Sequence, residues 1–203
     1  VRLSFNPYAS SSYTTFDGSN DFSTNYGIDV KYGINESFTL DATLIPDFGQ
    51  IQSDDQQLNL SPFELYYGER RQFFTEGTEL FQRGDIFYSR RIGAWPKFSD
   101  EAENSLDENE VIDYNPITTQ LVNATKVSGR SSKGWGVGVL NAMSLTSYTI
   151  LKDTLSGKKR EVKVQPFTNY NVLVVDKSLK NNSYISLINT NMQMYDNPFK
   201  ANV

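Results

Sequence analysis

The segment Asn25–Ile34 reads N-Y-G-I-D-V-K-Y-G-I, a strict alternation over ten residues. Tyr26, Ile28, Val30, Tyr32 and Ile34 fall on one face of an extended chain; Asn25, Gly27, Asp29, Lys31 and Gly33 fall on the other. Successive side chains of a strand point to opposite faces, so a period of two predicts a β-strand with one apolar and one wet side. Tyrosines stand near both ends of the apolar face, and the length matches the ~9–11 residues that a tilted strand needs to cross a bilayer.

The pattern recurs. Strands are predicted near Arg2–Tyr13, Thr24–Ile34, Ser37–Ile45, Thr119–Gly129, Gly134–Leu145, Tyr170–Asp176 and Ser183–Asn191, separated by Gly and Asn/Ser/Asp clusters. Asn35-Glu36 links the second to the third as a hairpin. Phe38, Leu40, Ala42 and Leu44 again alternate with Thr39, Asp41 and Thr43. Further on, Trp135, Val137 and Val139 alternate with Gly134, Gly136 and Gly138, and glycine there lets another element approach closely or marks a bend. Apolar residues make up only 38% of the chain, yet aromatics reach 13%, which suits strands that bury one face. A carbohydrate-binding β-sandwich has the same composition. No run approaches the ~18 apolar residues of a membrane helix, so a membrane reading requires a β-barrel, which satisfies its backbone between strands.

The chain has no cysteine and no histidine. Disulfides, thiol chemistry, His-based triads and most zinc sites are thereby excluded. A net charge of −5 argues against a nucleic-acid partner. No cofactor is expected. Val1-Arg2-Leu3-Ser4 is not a signal peptide, so an exported protein would carry its signal upstream.

The connection from Pro46 to Pro116 is too long for a hairpin loop and reads as an inserted segment (46–116) within one β region spanning residues 1–203. Ser61-Pro62-Phe63-Glu64 is a capping box with proline at the first helical position, which predicts a short helix from Pro62 to about Tyr67. Phe73-Phe74 and Leu80-Phe81 predict a second short helix or a compact plug. Ser99–Asn109, acidic and without a basic residue, reads as a solvated loop.

Leu40–Gly93 carries a resemblance. Pro46-Asp47-Phe48, Asp54-Asp55-Gln56-Gln57, Phe63–Gly77 and Phe87–Gly93 (F-Y-S-R-R-I-G) follow in order the pattern of the bacterial family catalogued as domain of unknown function 5916, and Ala124–Leu140 and Thr168–Tyr184 fit it more loosely. The resemblance implies an all-β fold: an antiparallel transmembrane β-barrel of the outer membrane, usually preceded by a family-9-type carbohydrate-binding module. Seven strands are an odd number, and the tail Asn197–Val203 lacks the aromatic strand end of a complete barrel. The chain is therefore expected to be the amino-terminal part of a larger barrel, non-enzymatic, working in transport, assembly or surface-glycan handling. Membrane lipid, surface glycan and other envelope proteins are the partners this implies. A soluble all-β carbohydrate-binding module is the alternative, and a glycoside hydrolase a distant third.

The densest charged cluster comprises Glu64, Glu69, Arg70, Arg71, Glu76, Glu79, Arg83, Arg90 and Arg91. It reads either as an ionic network that fastens the insertion to a lumenal wall or as an arginine site for an anionic or sugar ligand. Glu64 with Glu69, or Asp54 with Glu76, could form the carboxylate pair of a glycosidase, but acids among arginines stay ionised. Asp47, Asp54 and Asp55 suit a hard cation or turn-forming hydrogen bonds. Tyr66, Tyr67, Phe73, Phe74, Tyr88 and Trp95 could stack sugars or pack the insertion. Tyr26, Ile28, Val30, Tyr32, Ile34, Phe38, Leu40 and Leu44 are expected to face lipid, and Tyr8, Tyr13, Tyr26, Tyr32 and Trp135 to sit at the interface.

Overall fold

The computed structural model describes residues 2–16, 19–46, 58, 62, 65–196 and 200–203. Among them the strands run as β1 (Leu3–Phe16), β2 (Ser19–Gly33), β3 (Phe38–Leu44), β4 (Glu110–Tyr114), β5 (Leu121–Arg130), β6 (Trp135–Ser144), β7 (Ser147–Asp153), β8 (Lys159–Gln165), β9 (Thr168–Ser178), β10 (Tyr184–Met194) and β11 (Lys200–Asn202). Two short helices, α1 (Gln72–Thr75) and α2 (Ser99–Asn104), lie between β3 and β4. The protein is all-β, with every strand pairing antiparallel. Eight strands form one open sheet in the order β1-β2-β3-β5-β6-β9-β10-β11, and β4, β7 and β8 form a second of three.

All seven strands read from alternation are present in the large sheet, and β11 is its eighth member. The first hairpin is longer than its pattern suggests, with pairing continuing to Phe16↔Ser19 through a Ser/Thr/Asn-rich stretch that resembles loop punctuation. β2 ends at Gly33, so Ile34 belongs to the turn rather than the strand. Asn35 is the reason: its side-chain oxygen accepts from the N–H groups of Ser37 and Phe38 at 2.8 and 2.9 Å, closing an Asx turn. The turns at 34–37, 131–134 and 179–183 are short and share one end of the sheet. The insertion and the β7–β8 excursion leave from the other end.

The register sorts side chains into two faces. Asp29, Lys31, Thr39, Asp41, Thr43, Lys126, Ser128, Gly136, Gly138, Leu140, Val172, Val174 and Asp176 share the inner face, against which the insertion packs. The core on this face joins Phe74, Leu80, Phe81 and Ile92 of the insertion to Leu121, Ala124, Leu140, Ala142, Val172 and Val174 of the sheet. The centre of the inner face is thus dry, and its charges flank the core. Gly136 and Gly138 provide the seats. A Cβ at Gly136 would lie 2.9 Å from the Leu80 side chain, and one at Gly138 2.9 Å from the ring of Phe81. Close approach, and not a bend, accounts for Gly136 and Gly138, whereas Gly134 serves the turn with a φ of 78°.

Within the insertion, α1 matches the second expected helix. Residues 65–67 are not helical, and the capping box itself (Ser61, Phe63, Glu64) lies outside the described residues. Ser99–Asn109 is not simply a loop: its first half is α2, whose Ser99 and Ala102 are buried while Asp100, Glu101 and Glu103 stay exposed. Residues three apart share a helix face, which lets α2 pack on β8 of the small sheet. That sheet was not anticipated from the sequence. Its β8 carries the usual signal, Val162 and Val164 alternating with Glu161 and Lys163, in a stretch dense with charge.

Gly138→Ala should overpack the seat of Phe81 and lower stability by roughly 1–3 kcal/mol. Adding Phe81→Leu should recover part of the loss. A thermal-unfolding cycle on the four proteins measures both effects, and full additivity would rule out the contact as the cause.

Candidate functional site

The insertion is organised around Arg71, which is 8% exposed. Its Nε donates to Glu69 Oε1 at 2.9 Å and Nη2 to Glu69 Oε2 at 2.7 Å, a bidentate pair. Nη1 donates to the Ile92 carbonyl at 2.5 Å and Nη2 to that of Ser89 at 2.8 Å. The guanidinium carbon lies 4.3 Å from the centroid of Phe74. One side chain therefore binds the segment entering α1 to the 3₁₀ turn Ser89–Arg91. Glu69 also accepts from the backbone N–H groups of Arg70 and Arg71 and from the Ser89 hydroxyl at 2.6 Å. Burial alone would raise the Glu69 carboxyl, but the hydrogen bonds and charge of Arg71 outweigh it and hold the group down at about 2. The Tyr88 hydroxyl bridges the N–H and C=O of Tyr67, and Arg90 Nε donates to the Gly68 carbonyl at 2.9 Å.

A second set of charges joins this unit to the wall. Lys126 of β5 is 1% exposed, and its ammonium donates to the carbonyls of Phe73 and Glu76 at the end of α1. It also lies 4.0 Å from Asp41 Oδ2. Cations suit the unsatisfied carbonyls of a helix C-terminus. Lys31 of β2 bridges Glu76 Oε2 at 2.8 Å and Asp41 Oδ1 at 3.7 Å. The hydrogen bond from Lys31, followed by that from Gln72, lowers the Glu76 carboxyl. A third set lies across the core: Asp176, fully buried on β9, is 2.5 Å from Arg130 Nη1 and 3.8 Å from Arg83 Nε. Arg83 stacks over Tyr184 at 4.2 Å.

The charged residues singled out from the sequence are thus divided. Glu69 and Arg71 pair directly. Glu76 joins a different set, with Lys31, and not with an arginine. Arg90 turns to backbone, Arg91 lies 5.9 Å from the Tyr88 centroid, and Arg70 is exposed outside the bidentate pair. Glu64, Asp47, Asp54 and Asp55 lie outside the described residues. Lys126, Arg130 and Asp176 were missed. Their signal was their phase: each occupies the inner side of an alternating strand, where an isolated charge needs a partner from another element. Among the described residues no group of three or more acidic side chains could hold a metal ion. Glu69 is held ionised, which unsuits it as a proton donor near neutral pH.

The outer face carries Phe5, Tyr13, Phe22, Tyr26, Ile28, Val30, Tyr32, Phe38, Leu40, Leu44, Val127, Trp135, Val137, Val139, Leu173, Ile185 and Leu187. Many are widely exposed, including Tyr26 at 64% and Leu187 at 64%. Tyr8 is an exception among the expected belt tyrosines. It sits on the inner phase, where its ring covers Gly27 and its hydroxyl donates to the Ile45 carbonyl at 3.2 Å. The apolar band slants across the hydrogen-bonded rows. In one row Phe5, Val30 and Ala42 are followed by Thr125, Asn141, Asn171, Asn191 and Asn202. The band is centred near Asp29 on β2 and near Ser186 on β10, whereas the row through Asp29 meets β10 at Met192. That offset is about 20 Å along the strands over about 24 Å across them, a slope of about 40°.

An all-β wall bearing a docked, salt-bridged insertion is the class of structure this site defines. The whole chain, residues 1–203, matches the family described as Domain of unknown function (DUF5916), and the protein belongs to that family. No curated protein and no solved structure matches it.

Arg71→Ala should leave Glu69 buried without its partner and cost roughly 3–5 kcal/mol, far more than Arg70→Ala. Chemical denaturation of both variants checks the ranking. Glu69 also sets a pH dependence. Its folded pKa of about 2 lies below the ordinary 4.5, so its contribution is complete above pH 4.5 and is lost as pH falls toward 2. The loss should be on the order of 2–3 kcal/mol. Glu69→Gln should flatten this part of the stability profile; an unchanged slope would assign the acid sensitivity elsewhere.

Proposed function

We propose that the chain is one wall of a non-enzymatic transmembrane β-barrel in the bacterial outer membrane, completed by further strands, with the insertion lying in the lumen. The slanted apolar band carries this reading. A bilayer presents a horizontal slab, and barrel strands cross it at about 35–45°, so a lipid-facing band must slip along the hydrogen-bonded rows by the slope measured on β2 to β10. A soluble sandwich has no reason to expose such a band, because its apolar face turns toward a second sheet. Tyr26, Ile28, Val30, Tyr32, Phe38, Leu40 and Leu44 then face lipid, with Asn141, Asn171 and Asn191 at one border and Trp135 at the other.

Closure of the sheet also answers the open edges of β1 and β11, which lipid would leave unsatisfied. Short turns belong to the periplasmic end of such barrels and long connections to the outer end. The insertion mouth and the small sheet accordingly face the cell exterior. Two ionic sets and the shared apolar core hold the insertion against the wall, which restricts the lumen and suits a role in transport, assembly or surface-glycan handling over an open pore.

The protein should require detergent and should migrate differently on gels when left unheated. Val30→Arg, at the centre of the band, should cost roughly 2–4 kcal/mol of membrane stability, while Val162→Arg on the small sheet should insert normally. Monodisperse protein without detergent, indifferent to Val30→Arg, would overturn the reading in favour of a soluble β module.

A further inference from the structure

A half-open cleft of about 360 Å³ lies between the end of the insertion and the inner face of β9–β11. Its size falls in the range of small-molecule sites. The floor is apolar: Tyr170 from β9, Met192 and Met194 from β10, and Ala201 from β11. Methionines adapt their shape to a ligand at little cost. Trp95, 54% exposed, is part of the lining. Arg91 and Lys97 also line it, and among the described residues no acidic one does. Lys97 is lowered by burial and then by the charge of Arg91, so the two cations are near enough to sense each other.

One polar group inside lacks a partner. Thr119 is 6% exposed, and its hydroxyl is buried without a hydrogen bond among the described residues. The Gln165 amide is committed: its Oε1 accepts from the Lys97 N–H at 2.9 Å and its Nε2 donates to Thr168 Oγ1 at 2.7 Å. A buried hydroxyl without a partner is costly, and a ligand atom that bonds it removes the cost. A saccharide would need several such buried partners, and among the described lining residues only the Thr119 hydroxyl is buried and unpartnered. An apolar body with a single charged head uses all that is there: the methionine and aromatic floor, the two cations and the one hydroxyl.

We propose that this cleft binds a small amphipathic anion, its apolar body on Met192, Met194 and Tyr170 and its head held by Arg91, Lys97 and the Thr119 hydroxyl. The site does not depend on what covers the outer face of the sheet, so it stands or falls separately from the barrel reading.

The probe is 4-phenylbutyrate, measured by equilibrium dialysis against the full chain in lipid nanodiscs (or in buffer, should the protein prove soluble), with protein-free blanks. Its uncharged analogue 4-phenylbutanol and the acidic sugar glucuronate are run beside it. Phenylbutyrate should bind, phenylbutanol should bind about tenfold more weakly, and glucuronate should not bind. Lys97→Gln, an exposed change that leaves the backbone contact to Gln165 intact, should weaken phenylbutyrate by about fivefold, an effect that fades as salt is raised. Met194→Trp should fill the floor and abolish binding. Equal binding of phenylbutanol, preference for glucuronate, no binding of any probe, or unchanged affinity in folded Lys97→Gln and Met194→Trp would each overturn the proposal.

Discussion

The buried ammonium of Lys126 is the interaction on which the arrangement of the molecule turns. A lysine 1% exposed is costly to bury, and the carbonyls of Phe73 and Glu76, with Asp41 and the Phe73 ring nearby, make its position tolerable. Those carbonyls belong to the insertion, not the sheet. The wall therefore has an unsatisfied charge unless α1 is in place, and α1, only four residues long, has no independent stability. Each completes the other.

Around that point the two faces of the sheet follow opposite rules. The inner face is dry in the middle, where Leu80 and Phe81 sit on Gly136 and Gly138, and charged at its flanks, where Lys31, Asp41, Arg130 and Asp176 find partners. The outer face is apolar and exposed along a slanted band, bordered by asparagines in register across β6, β9, β10 and β11. A sheet that covers one face with its own insertion and still exposes a continuous apolar band on the other has apolar surface that water does not favour, which is the physical content of the proposed membrane barrel.

Legibility in the sequence differed between these parts. Alternation located every long strand because the period of two depends only on backbone geometry, and it placed Lys31 and Asp41 on the right phase. It failed for β4, β7 and β8, short and charged strands stabilised by one another and by α2. The charged cluster was visible as a cluster, but its pairings were not. Glu69 and Arg71 are two apart, a spacing that brings side chains together here because the chain at 65–71 is not helical, Arg71 itself is extended, and the 89–92 turn supplies the remaining acceptors. Glu76 found a partner 45 residues upstream, Lys31, which no local pattern could name.

By itself the sequence determined the strands, their two phases, the presence of a long insertion, the exclusion of thiol and histidine chemistry, and the family. Tertiary structure alone decided that the insertion lies on the inner face, that glycines of β6 receive Leu80 and Phe81, that Lys126 caps α1, and that Thr119 is left without a partner beside a cationic cleft. The reason is that strand periodicity is a property of neighbouring residues, whereas the partner of a buried charge or hydroxyl is chosen by whichever distant segment folding brings within hydrogen-bond reach.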